Sequence, residues 1–240
     1  MSNLSEVLSQ AAINPDFPTD NPDSAIAIID SLELIGFSPD SALLFVVFAE
    51  KAPLSSSLMR THTVVLKTSD GGNNWRLTLD ATQGSLVKEE IFFLNETQGW
   101  FITQWQVAGT FPTLYQTNDF GETWQEFSTI HDSITAKGGV ASFTEAQGLR
   151  FKSEQEGIVI GKTFNVEGEN IQLFLKTNDG GQTWQEINNI PAEYFTWNSI
   201  HSQVFDFSHT WQITTTVAGI LISKSVDLLA TIYPAAISNG

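Results

Sequence analysis

Four histidines, His62, His131, His201 and His209, are the residues of this 240-residue chain best suited to binding a metal or carrying a proton near neutral pH. Their spacing makes no ligand pair on one element; His201 and His209 stand eight positions apart, across an expected strand. Asp16, Asp20 and Asp23 form an acidic cluster, but not at the spacing of a calcium loop. The glycine-rich NDGGQT, residues 178–183, neither follows a strand nor opens a helix in the way a phosphate-cradling loop does. There is no cysteine, which removes disulfides, thiolate metal sites and cysteine nucleophiles together. Glu193 and Tyr194 could pair as base and phenol only if they faced one way, and neighbours on a strand face opposite ways. Glycoside hydrolysis needs two carboxylates at a set separation, which sequence does not fix. No catalytic residue, metal ligand or cofactor is therefore assigned. The candidate binding residues are aromatic: Trp105, which has no counterpart in the other repeats, and Tyr194, Phe195 and Trp197 on the long connection 189–202. Aromatic side chains on a loop suit a recognition surface. Asn3 and Asn95 open sequons for glycosylation, a short pattern.

The elements that would position these residues come from a repeat. KTSDGGNNW (67–75), QTNDFGETW (116–124) and KTNDGGQTW (176–184) share the pattern Thr-x-Asp-x-Gly-x-x-Trp. An eroded copy, KSVDLLATI (224–232), keeps Asp227. A second landmark, an apolar residue, a spacer and Phe, precedes each copy and ends at Phe37, Phe93, Phe151 and Phe207. Around each pair, short segments alternate apolar and polar residues with the period of a half-buried strand. Four such segments per unit predict an all-β fold, a small β-propeller of about four four-stranded antiparallel blades. The expected blades are about 32–80, 87–128, 146–188 and 202–236, inside a propeller domain 32–240. Each box falls on the hairpin between third and fourth strands. Asp70, Asp119 and Asp179 would accept backbone N–H bonds of their own turns. Gly72, Gly121 and Gly181 would supply positive φ. Trp75, Trp124 and Trp184 would pack at the blade edge. Four blades are expected to close; an open arc would instead invite self-association through its exposed edges.

Residues 1–31 precede the blades. NLSEVLSQAA predicts a helix with Asn3 and Glu6 at capping-box spacing and Leu4, Val7, Leu8 and Ala11 on one face, followed by the Pro/Asp linker NPDFPTDNPD. The net charge is −16, with 27 acidic residues against 11 basic. Nucleic acid and anionic membrane surfaces would repel such an acidic protein, and a basic partner surface fits better. No Lys or Arg precedes Lys51, so no secretory signal is expected in the chain as written, and the longest apolar run, Ala42–Ala49, is strand length. The sequence leaves the compartment open.

The boxes resemble the Asp-box, or BNR repeat, which recurs in sialidases, sortilin-type receptors and photosystem II assembly and stability factors. TNDGGQTW preceded by EGIVIG, and the opening NETQGWFITQ of the second unit, look most like the photosystem II assembly-factor type. The resemblance covers residues 32–236 and implies a propeller that binds protein, as an assembly factor for a photosynthetic or other membrane complex. Members of that type usually have seven blades and an arginine-rich patch. Only Arg60, Arg76 and Arg150 are present here. The sialidase branch would need three arginines, a Glu-activated Tyr and an Arg-Ile-Pro type motif, which this chain lacks. The alternative function is a carbohydrate-active protein, a glycosidase or lectin-like binder, using the propeller channel.

Overall fold

ALLFVVFA has no polar side because the strand that contains it is buried on both faces. The computed structural model describes residues 4–11, 27–50, 61–81, 86–105, 112–127, 130, 143–164, 169–191, 194, 210–216 and 219–225. After helix α1 (Leu4–Ala11), β1 (Ala27–Gly36), β2 (Ala42–Glu50), β3 (Thr61–Thr68) and β4 (Arg76–Ala81) form the first antiparallel sheet in that order. Ala42, Leu44, Val46 and Phe48 of β2 point to one side, against Leu4 and Leu8 of α1 and Trp75. Leu43 and Phe45 point to the other side, into the second sheet.

That second sheet repeats the order with β5 (Leu86–Phe93), β6 (Gly99–Trp105), β7 (Thr113–Thr117) and β8 (Gln125–Phe127). Its Ile91, Phe93, Phe101 and Tyr115 meet the first sheet, while Phe92, Trp100, Ile102 and Leu114 face the third. The third sheet comprises β9 (Phe143–Phe151), β10 (Gly157–Phe164), β11 (Asn170–Thr177) and β12 (Gln185–Glu186). Leu149, Phe151, Val159, Leu173 and Leu175 cover the second sheet from the far side. Side chains alternate faces along a strand, so a sheet packed on both sides needs apolar residues at successive positions. Four-stranded antiparallel sheets stacked face to face in chain order are the blades of a small β-propeller.

The Phe landmark has a steric cause. Phe93 and Phe151 pair in register with Gly99 and Gly157. A Cβ at Gly99 would stand 2.3 Å from the Phe93 ring, and one at Gly157 would stand 2.6 Å from that of Phe151. Each ring lies flat over a bare backbone and can then reach the neighbouring blade.

β13 (Thr210–Thr216) and β14 (Gly219–Ser225) pair as a fourth, two-stranded sheet, and β13 lies against β1. The first and last sheets therefore meet. The other two strands expected there, 203–208 and 230–235, fall outside the described residues, as does Asp227. β1 begins at Ala27, ahead of the blade start expected at Leu32. The predicted helix forms over Leu4–Ala11; Leu4 and Leu8 are buried and Val7 is half-buried. Among the described residues, no helix is long and apolar enough to cross a membrane.

Candidate functional site

The three turns are built alike around a threonine hydroxyl. Thr177 is 1% exposed. Its Oγ1 accepts from the Gly181 N–H at 2.9 Å and the Asp179 N–H at 3.3 Å, and donates to Asp179 Oδ1 at 2.7 Å. Asp179 Oδ1 also accepts the Thr183 N–H at 2.8 Å, and the Thr183 hydroxyl donates to Oδ2. Thr117, Asp119 and Thr123 make the same bonds in the second blade. In the first blade Asn74 replaces the second threonine and donates to Asp70 through its backbone and its amide. Gly72, Gly121 and Gly181 have φ of 83°, 67° and 100°. The residue before each of these glycines ties the turn to the first hairpin of its own blade: Gly71 N–H to Asp40 O, Phe120 N–H to Thr97 O, Gly180 N–H to Gln155 O.

These bonds set the carboxylate chemistry. At Asp70 the Asn74 backbone N–H, then its side-chain amide, hold the pKa below the ordinary value. At Asp119 and Asp179 partial burial pushes upward, but donation from Thr123 and Thr183 outweighs it, and both end lowered. Groups with depressed folded pKa values stabilise the fold above the unfolded value, about pH 4 for Asp, and lose that contribution as pH falls through the folded pKa. Urea midpoints are therefore expected to fall as pH drops from about 4.5 toward 3. Asp179→Asn should flatten that slope; an unchanged slope would mean Asp179 does not contribute. At neutral pH Asp179→Ala is expected to cost about 1–2 kcal/mol, read from urea unfolding, and wild-type stability would refute the clamp.

Each turn also docks on the blade before it. The second turn lies on the first blade's face. There Lys67 Nζ, with a side chain 7% exposed, bonds Glu122 Oε2 at 2.7 Å and stands 4.5 Å from the Phe120 ring centroid. Arg76, at the start of β4 as its place after the box Trp implies, pairs with Glu122 Oε1. Lys67, and to a lesser extent Arg76, hold the Glu122 carboxyl below its usual range. Phe120 meets Phe37 edge-on at 4.3 Å with φ of 60°, a left-handed conformation costly for a residue other than glycine. The backbone strain is spent on bringing an aromatic ring to the seam. Trp124 packs edge-on against Phe45, Phe93 and Phe101. The third turn docks on the second blade: Trp100 Nε1 donates to Gly180 O at 3.4 Å, and its ring stacks on Phe151 at 3.7 Å. Burial, then the neighbouring Glu126 carboxylate, raises the Tyr115 pKa well above its usual value, so this phenol stays protonated.

The candidate binding aromatics do not come together among the described residues. Tyr194 is 3% exposed, so its ring lies inside the fold instead of on a recognition surface. Phe195 and Trp197 fall outside the described residues. Trp105 ends β6, with its backbone paired to Leu86. Gly and Trp of the turns stand where the repeat predicts, with Trp75 and Trp184 buried and Trp124 half-buried. The repeat did not disclose the threonine hubs Thr68, Thr117 and Thr177, or the clasp of Lys67, Arg76 and Glu122. The hubs had a signal, since Thr opens all three boxes. The clasp had none, because Lys67 and Glu122 are 55 residues apart. No group of three His, Cys, Asp or Glu among the described residues could hold a metal ion.

No family model and no curated protein matches the chain. Solved structures do match. One is described as "YCF48 bound to D1 peptide": 15% identity, TM-score 0.34, covering 70% of this chain and 47% of that one. Another is a complex of BT0996 and RGII: 13% identity, TM-score 0.43, covering 70% of this chain and 60% of that one. The protein thus spans about half of the first and three-fifths of the second.

Proposed function

We propose that the chain is a non-catalytic Asp-box propeller that binds protein, an assembly module for a photosynthetic or other membrane complex. What supports this reading is where the carboxylates are used. Asp70, Asp119 and Asp179 are saturated by donors of their own turns, and Glu122 by the cations of the neighbouring blade. Strongly perturbed carboxylates often mark catalysis. Here each one has a structural task, which builds a rigid scaffold and leaves loops and rims for recognition. The boxes supply the assembly-factor branch of the reading, and the net charge of −16 supplies a basic partner surface.

The test pairs two assays on the full chain. Synthetic tails of membrane-protein subunits, basic and acidic, are titrated by interferometry, and a panel of oligosaccharides is assayed for binding and for new reducing ends. Saturable binding of a basic tail without sugar release is expected. Release of reducing ends, or saturable sugar binding with no peptide binding, would overturn the proposal in favour of the carbohydrate-active alternative.

A further inference from the structure

The face that each blade offers to the next is made from the same register positions. In the first blade one row is Ile35, Leu43, Lys67 and Arg76, with Phe45 and Val65 alongside. In the second blade the row is Phe92, Trp100, Gln116 and Gln125, with Ile102 and Leu114 alongside. Both faces receive the turn of the following blade, and their apolar members are buried. In the third blade the same row reads Arg150, Ile158, Lys176 and Gln185, with Ile160 and Phe174 alongside. Lys152 takes the place of Phe37, since its N–H closes the same hairpin bond, to Glu156 O where Phe37 bonds Ser41 O.

This third face is not packed like the others. Ile158 is buried, but Arg150, Ile160, Phe174 and Lys176 are only half-buried and Lys152 is exposed. The fourth sheet makes its main contact with β1 instead. Two of the three cations share one carboxylate, Glu156, at 3.2 Å from Lys152 and 4.0 Å from Lys176. The Arg150 guanidinium donates to the Leu149 carbonyl. On a chain of charge −16, this face gathers cations around an apolar strip.

We infer that the third blade's far face is a docking socket for a carboxylate-bearing β-turn of a separate protein, seated as the second blade's turn sits on the first. Lys176 occupies the position from which Lys67 clasps Glu122, and Ile160 and Phe174 occupy those of Phe45 and Val65. Charge complementarity selects an acidic turn with an aromatic or aliphatic neighbour. This surface is distinct from the loops and the basic partner proposed above, and loss of either leaves the other intact.

The probe is a cyclised hairpin peptide of residues 113–127, the turn that the equivalent first-blade face holds. It is titrated against the full chain by fluorescence anisotropy. Saturable binding is expected, weakening with salt, and weakening about tenfold or more when Arg150→Glu and Lys176→Glu are combined. Thermal unfolding checks that this variant folds. If it does not, a peptide carrying Glu122→Gln, titrated against the wild-type chain, gives the same readout and should bind several-fold more weakly. Absence of saturable binding, or binding indifferent to these charges, would overturn the socket. The outcome does not depend on the subunit tails of the previous experiment, so the two proposals fail separately.

Discussion

Trp100→Ala is expected to lower the free energy of unfolding by about 3–5 kcal/mol, among the largest effects of any single truncation in the chain. The side chain has no exposed surface. It stacks on Phe151 with ring planes 5° apart, lies near Phe92 at 6.5 Å, and donates its indole N–H to Gly180 O in the third blade's turn. Truncation would empty the middle of the seam between second and third blades and leave a buried carbonyl short of a donor. Since a domain's net stability is about 5–15 kcal/mol, such a loss takes a large share. Urea unfolding followed by far-UV circular dichroism measures it. A cost under about 1 kcal/mol would mean that the two blades do not pack through this ring. Trp100→Phe keeps the stack and loses only the hydrogen bond, so it should retain most of the stability.

The blades were legible in the sequence because their signals are local. Thr-x-Asp-x-Gly-x-x-Trp specifies a hairpin turn within one stretch of chain, and its donors and acceptors are at most four residues apart. Alternation gave the strands, and in ALLFVVFA its absence marked a strand buried on both sides. What the sequence did not disclose is the pairing between blades. Trp100 and Gly180 are 80 residues apart, and no local pattern names one as the partner of the other. Phe120 illustrates the limit. In the box it reads as a lapse, Phe where its counterparts have Gly71 and Gly180, yet the structure holds it at positive φ to meet Phe37 and Lys67. The binding aromatics were harder still. Tyr194 reads as a loop side chain and proves buried, because a long connection can fold its apolar residues under itself as readily as present them.

Gly181→Ala should be the second large effect, about 2–4 kcal/mol, and it has two separable causes. The backbone at Gly181 has φ of 100°, where any side chain is strained. An added Cβ would also stand 2.5 Å from Leu114 Cδ2, in the face of the preceding blade. A double-mutant cycle with Leu114→Ala divides these terms. Leu114 is fully buried, so its truncation alone should cost about 2–5 kcal/mol. If the turn presses on the second blade as described, the added methyl enters the space that Leu114 vacates. The double variant should then be more stable than the sum of the single losses by about 1 kcal/mol or more, leaving only the backbone strain. Strict additivity would show that the cost lies in the turn's own conformation. It would also remove Leu114 as the floor on which the third turn rests, and with it the premise that each blade carries a shaped seat for the turn of the next.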